Sequence, residues 1–133
     1  MPYLLDTSVY SQPLKRRPIP SVIEQWKAVG DASCYVSVFC ELEVLQGLEI
    51  AEHGRLRELY EAVLRDRLPI LPFTPAEAKV YARLQGRAVR SGTTRPVIDL
   101  CIAATAISRS LTLVTLNSRD FTDIDGLQVE SWG

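Results

Sequence analysis

Acidic and hydroxyl side chains follow the apolar segments of this chain, and their types and spacing are the first guide to its chemistry. Asp6 comes directly after the short apolar run at residues 3–5 and is followed by Thr7 and Ser8. Such a run is typical of a buried strand, and open α/β sheets bind ligands where strands end. Asp6 is therefore placed for catalysis or metal binding, or else it caps a turn, since Asp, Thr and Ser also favour turns.

Further polar residues have the same kind of setting. Glu43 lies in the first turn of a predicted helix, Asp99 lies in the first turn of an almost wholly apolar helix, and Asn117 and Asp120 follow an apolar segment at 111–115. Acids in a first turn can simply complement the helix dipole. A carboxylate in so apolar a segment as that of Asp99 is nevertheless costly unless it is paired or bound to a cation.

Convergence of these strand ends would bring Asp6, Glu43 and Asp99 within about one metal coordination shell of each other. Carboxylates at such a distance repel one another unless a cation lies between them. The donors are all oxygens, which favours Mg²⁺ or Mn²⁺. The only histidine, His53, lies in a polar turn, so a Ser-His-Asp triad or a histidine-based zinc site has little support. Such a pocket suits phosphodiester hydrolysis, in which the metal orients water and offsets negative charge.

Length and charge restrict the functional classes further. The chain has 133 residues, of which 47% are apolar, so one domain with a sizeable core is expected over residues 1–133. The net charge of −1 indicates neither a nucleic-acid nor a membrane partner, so any RNA-binding surface must be local. Three cysteines without a CxxC pair, no signal peptide and no membrane-length apolar run predict a cytoplasmic protein with reduced thiols and no membrane association.

The longest acid-free basic stretch is a candidate for that local surface. Arg83, Arg87 and Arg90 share a polar face of a predicted helix, Arg95 lies beyond it, and no acid occurs between Arg83 and Arg95. A solvated helix face is the simpler interpretation. Contact with RNA phosphates is the alternative hypothesis.

The elements that must position these residues alternate along the chain. Strands are predicted at 3–5, 35–39, 68–71, 111–115 and 127–129, and helices at 21–29, 40–52, 56–64, 74–91 and 97–107. This alternation predicts an α/β fold with a mostly parallel sheet covered on both faces. Thr74 and Glu77 have the spacing of a capping box.

The helix at 40–52 raises two further points. We expect Leu42, Leu45 and Leu48 near one face of this helix and Glu43 on another. Glu41 competes with Glu43 for the pocket, but it points about 200° away around a helix of 3.6 residues per turn.

Four segments resemble the PIN-domain ribonucleases, in particular the VapC toxins of bacterial and archaeal toxin–antitoxin pairs. They are residues 4–8 (LLDTS), 37–43 (SVFCELE) with Gly47, 98–106 (IDLCIAATA), and 113–121 (LVTLNSRDF) followed by Gly126-Leu127. They span nearly the whole chain in the order found in that family. The family's spacing from the second acid to a glycine selects Glu43 over Glu41, because the glycine is Gly47 here.

The resemblance implies a three-layer α/β/α fold with a parallel sheet of about five strands, and a metal-dependent endoribonuclease that cleaves structured cellular RNA with metal-activated water. Asp6 and Asp99 would hold Mg²⁺ or Mn²⁺, Glu43 would bind the metal or its water, and Thr7 or Thr115 would orient the ligands. Asn117 stands where many members carry an acid, so Asn117 or Asp120 would complete the site. The resemblance also implies a homodimer and a small VapB-like antitoxin.

Two other classes compete with this interpretation. A haloacid-dehalogenase-like phosphatase also begins with an aspartate after a strand, but it needs a second aspartate two residues later, where this chain has Ser8. A non-catalytic PIN-like RNA-binding or scaffold module is the other alternative. The three acids Asp6, Glu43 and Asp99 argue against it, whereas Asn117 keeps it open.

Overall fold

A computed structural model describes residues 2–133, and its centre is a sheet of five parallel strands. The strands are β1 (Tyr3–Leu5), β2 (Cys34–Ser37), β3 (Ile70–Leu71), β4 (Thr112–Val114) and β5 (Val129–Glu130). Their order across the sheet is β3-β2-β1-β4-β5, and all four pairings are parallel. The first strand is therefore central, with Leu4 paired to Tyr35 on one side and to Leu113 on the other.

Six helices complete the three-layer α/β/α fold that the family resemblance implied. They are α1 (Thr7–Tyr10), α2 (Pro20–Val29), α3 (Val38–Ala51), α4 (Gly54–Val63), α5 (Pro75–Arg90) and α6 (Val97–Ser108). The predicted capping box at the start of α5 is present. The Thr74 side chain accepts a hydrogen bond from the backbone N–H of Glu77, and the Glu77 carboxylate accepts one from the backbone N–H of Thr74. No helix within residues 2–133 is both long enough and apolar enough to cross a membrane.

The core surrounds the central strands. Leu4, Leu5, Val36, Leu113 and Val114 are all fully buried, as expected for strands covered on both faces. The three cysteines are unpaired and buried, which agrees with their apolar sequence neighbours.

Helix α3 differs from its prediction in two ways. It begins at Val38 rather than Cys40, because the Ser37 hydroxyl accepts hydrogen bonds from the next free backbone N–H groups and caps the helix. Its buried face contains Val44 and Leu48, while Leu42 and Leu45 are 44% and 41% exposed. The expected grouping of Leu42 and Leu45 with Leu48 is therefore wrong, since apolar residues occur on every side of this helix and packing decides which face is buried.

Two smaller differences concern segments with little periodicity. Helix α1 has only four residues and was not predicted, because so short an element leaves no repeating pattern in the sequence. The last strand lies at Val129–Glu130 instead of 127–129. Its backbone pairs with Leu113 and Val114 of β4, and this pairing sets its register.

Candidate active site

Asp6 ends the central strand and begins the first helix. Its N–H donates to the carbonyl of Val114 at 2.8 Å, and its own carbonyl accepts from Val9 and Tyr10 at 2.9 and 2.8 Å. The backbone is therefore fixed on both sides of the residue. The side chain is only 6% exposed, so its carboxylate needs partners within the protein.

Two hydroxyl groups supply those partners on one carboxylate oxygen of Asp6. Thr115, which follows β4 and is fully buried, donates to Oδ2 at 2.7 Å, and Ser8 donates to the same oxygen at 3.0 Å. The Thr115 hydroxyl also accepts from the N–H of Asn117 at 3.0 Å, and the Ser8 hydroxyl accepts from the N–H of Leu116 at 3.1 Å. Ser8 was not predicted as a site residue, although its place two residues after Asp6 in a hydroxyl-rich turn was a usable signal.

Glu43 is held by the other hydroxyl that follows Asp6. Thr7 Oγ1 donates to Glu43 Oε1 at 2.5 Å, across the contact between α1 and α3. Glu41 lies elsewhere: it is buried, and its carboxylate accepts hydrogen bonds from Tyr10 and Tyr60. The two acids thus occupy different surroundings, as a helix with about 100° per residue requires.

Asp99 is a partly buried carboxyl in the first turn of α6. Burial raises its pKa, and the charges of Asp6, Asp120 and Glu43 raise it further, to about 6, while Arg95 opposes them. Mutual repulsion of this kind requires the acids to share one region. The structure therefore places Asp6, Glu43 and Asp120 close enough to Asp99 for their charges to act on it.

The same acids do not form a ready-made coordination shell. Within residues 2–133, no three Asp, Glu, His or Cys side chains are arranged to hold a metal ion. The convergence of Asp6, Glu43 and Asp99 around a bound cation stays a prediction. Hydroxyl groups hold the two carboxylates in this structure, since Thr115 and Ser8 donate to Asp6 and Thr7 donates to Glu43.

Asn117 and Asp120 lie at the edge of this region. Both are exposed, and both belong to the turn around the short 3₁₀ segment Ser118–Phe121. Arg95 anchors this turn, because its guanidinium donates to the carbonyl of Asp120 at 2.7 Å and to the carbonyl of Thr122. Arg95 thus holds protein backbone, a role that its position beyond the basic stretch did not indicate.

The other arginines of the basic stretch divide into two groups. Arg87 pairs with Asp125, so it already has an acidic partner from a distant part of the chain. Arg83 and Arg90 are exposed and take part in none of the ion pairs found for residues 2–133. Within residues 2–133, Arg83 and Arg90 are therefore the arginines of this stretch that have no acidic or carbonyl partner, and contact of any of the four with RNA phosphates stays a prediction.

An apolar cleft opens beside Glu43. Its volume is about 270 Å³, and helices α3 and α4 supply much of its lining through Val44, Leu48 and Leu56. Thr7 and Glu43 form part of the same lining, together with Lys15. A group bound in this cleft would therefore touch both an apolar surface and one of the acids.

Comparison with known proteins agrees with this architecture. The model of the PIN domain family matches residues 3–127 of this chain. Ribonuclease VapC1 of Rickettsia felis is 33% identical over 132 residues, covering 97% of this chain and 95% of that protein. The tRNA(fMet)-specific endonuclease VapC of Shigella flexneri is 32% identical over 135 residues, covering 98% and 97%.

A solved structure gives the same result. The crystal structure of VapBC-5 from Mycobacterium tuberculosis, a member of the VapBC family of toxin–antitoxin systems, superposes with a TM-score of 0.70 at 28% identity, covering 97% of this chain and 95% of that one. The resemblance read from the four sequence segments is thereby confirmed. The chain belongs to the PIN domain family, alongside the VapC ribonucleases.

Proposed function

We propose that this protein is a metal-dependent endoribonuclease and the toxin of a VapBC-type toxin–antitoxin pair. The observation that carries the proposal is the gathering of Asp6, Glu43, Asp99 and Asp120 at the carboxyl ends of the central strands, where the charges of the other three raise the pKa of Asp99. A non-catalytic scaffold has no need for four mutually repelling acids. The names of the VapC relatives support RNA as the substrate class.

The donor set of the site fits Mg²⁺ or Mn²⁺. Hard divalent cations prefer carboxylate oxygens, and a cation among these acids would relieve their repulsion. The hydrogen bonds to Asp6 within residues 2–133 use Oδ2, which keeps Oδ1 available. We assign Asp6 and Asp99 as ligands of the metal, with Glu43 binding the metal or its water and Asp120 supporting the site.

The protein's own groups then have separate tasks. Thr115 and Ser8 fix the orientation of the Asp6 carboxylate, and Thr7 fixes that of Glu43. Asn117 contributes through its backbone, whose N–H bonds to Thr115 and so joins the turn to the site. A divalent cation bound here supplies an oriented water and positive charge beside the scissile phosphate.

The single most direct test is cleavage of RNA by the purified protein. We expect cutting with Mg²⁺ or Mn²⁺, none with EDTA, and none by Asp6→Asn, since an amide binds a hard cation poorly. Asp66→Asn is the matched control, because Asp66 is an exposed acid outside the site. RNA that stays intact with wild-type protein and metal would support the scaffold alternative.

The proposed partner is a small VapB-like antitoxin. The cleft beside Glu43 offers an apolar anchor of about 270 Å³, which suits the apolar face of a short helix. A basic side chain of the partner, most simply an arginine, would pair with the acids and compete with the metal.

A homodimer is the proposed assembly. Val38, Leu42 and Leu45 are each about 40% exposed and lie along one side of α3, with spacings of four and three residues. Residues so spaced are neighbours on a helix surface and form an apolar ridge. Such a ridge supports packing against a second copy of the chain.

A further inference from the structure

A buried carboxylate outside the acidic site has no cation beside it. Glu41 is 8% exposed and takes part in none of the ion pairs found for residues 2–133. A carboxylate removed from water is costly unless hydrogen bonds compensate it. The hydrogen-bond partners of Glu41 therefore need to be identified.

Two tyrosines hold the Glu41 carboxylate. Tyr10 donates to Oε1 at 2.8 Å, and Tyr60 donates to Oε2. Both phenols are buried, and burial together with the Glu41 charge raises the pKa of each, so both remain donors at neutral pH. Because Tyr10 belongs to α1, Glu41 to α3 and Tyr60 to α4, one carboxylate joins three helices.

The same pair of helices meets again at the acidic site. Two residues after Glu41, Glu43 accepts the hydrogen bond from Thr7, the first residue of α1. Helices α1 and α3 are thus joined by two parallel links, one at each end of the four-residue helix α1. Together with the buried side chains of Cys40, Val44 and Leu48, these two links and the contact with Tyr60 constrain the rotation of α3 about its axis.

A helix as short as α1 depends on such tertiary contacts. Isolated helices of this length are unstable in water, since too few hydrogen bonds offset the ordering of the backbone. Its first residue follows Asp6 directly, and its last is Tyr10. The contact between Tyr10 and Glu41 therefore bears on the whole segment that carries Asp6, Thr7 and Ser8.

We propose that Glu41 is a positioning residue: by holding Tyr10 and Tyr60, it sets the rotation of α3 that presents Glu43 to Thr7 at the active site. Its kinetic consequence rests on the proposed ribonuclease activity, whereas its structural consequence does not.

Two variants that each delete one hydroxyl test the proposal in the full-length protein. Tyr10→Phe breaks the link to α1, and Tyr60→Phe breaks only the support from α4. Well below the unfolding temperature, we expect kcat to fall about tenfold in Tyr10→Phe with KM within about twofold, because small displacements of catalytic groups are costly. Tyr60→Phe should show a smaller fall in kcat. Val22→Ala, a buried change in α2, serves as the control for lost stability alone.

A second readout needs neither RNA nor metal. The ¹³C resonance of the Glu43 carboxyl reports its hydrogen bond to Thr7, and we expect it to shift in both tyrosine variants but not in Val22→Ala. Unchanged Glu43 resonances in both variants would overturn the proposal, as would an unchanged kcat in an active protein. If the wild-type protein fails to cleave RNA, the proposed function is wrong, while the resonance still decides the role of Glu41. If Tyr10→Phe fails to fold, Tyr60→Phe still gives both readouts.

Discussion

Replacement of Glu77 by glutamine tests how the helix that carries Asp99 is held. Glu77 is 2% exposed in the first turn of α5. Its Oε1 accepts from the backbone N–H and the hydroxyl of Thr74 at 2.8 and 2.6 Å, and its Oε2 accepts from Ser108 of α6 at 2.7 Å. Arg109 lies 3.6 Å from Oε2. The carboxylate therefore ties the start of α5 to the end of α6.

The pKa of Glu77 gives the size of the expected effect. Burial alone would raise this pKa, but the hydrogen bonds from Thr74 and Ser108 and the charge of Arg109 lower it from 4.5 to about 2. At about 1.4 kcal/mol per pKa unit, the ionised form contributes about 3 kcal/mol to the free energy of unfolding. Because the folded-state pKa is depressed, this contribution is present above pH 4.5 and is lost as the pH falls toward 2.

The measurement is urea unfolding of wild type and Glu77→Gln at pH 7 and at pH 2.5. We expect Glu77→Gln to be less stable by about 3 kcal/mol at pH 7, with most of that difference absent at the lower pH. Glu61→Gln is the control: this exposed acid pairs with Arg65 on the surface, so its loss should cost under about 1 kcal/mol. A deficit of Glu77→Gln that is equal at both pH values would refute the electrostatic reasoning.

The remaining predictions concern the site and its partners. Asp99→Asn should abolish RNA cleavage yet raise the melting temperature in EDTA, because the amide ends the repulsion by neighbouring acids; a lower melting temperature would argue against the crowded site. Replacing Arg83 and Arg90 by alanine should weaken RNA binding and reduce its salt dependence, measured by titration at several salt concentrations. If the dependence of the binding constant on salt is unchanged, both arginines only form a solvated helix face. Leu42→Glu should convert a dimer to a monomer in light scattering, and a variant that stays dimeric would place the interface elsewhere. Expression of the chain alone should arrest growth and co-expression of the adjacent small gene should relieve the arrest, so harmless expression of the active protein would contradict the toxin role.

Local signals in the sequence predicted the frame of the fold. The capping box of Thr74 and Glu77 depends on residues three positions apart, and it appears in the structure as expected. Alternating strand and helix patterns likewise gave the parallel sheet, because a strand buried on both faces must be apolar throughout. The acids were placed at strand ends by the same reasoning.

Long-range partners explain what the sequence could not show. Glu41 is paired with tyrosines 31 and 19 residues away, and no local pattern distinguishes such a group from a solvated acid. Arg87 lies in a stretch of sequence without acids, but folding brings it into contact with Asp125, which is 38 residues away along the chain. The exposure of Leu42 and Leu45 was equally hidden, since only packing shows which side of an apolar helix faces the core.

The hydroxyl residues explain how repelling acids stay ordered at the ends of separate strands. Thr115, which follows β4, donates a hydrogen bond to Asp6, which follows β1. Ser8 of α1 accepts a hydrogen bond from the backbone N–H of Leu116, which also follows β4. Thr7 reaches in the other direction to Glu43, beyond β2. Since β1 lies between β2 and β4 in the sheet, hydroxyls within two residues of Asp6 connect both neighbouring strands to the central one. The carboxylates of Asp6 and Glu43 are therefore oriented by donors that carry no charge, which leaves the negative potential of the site available to attract a cation.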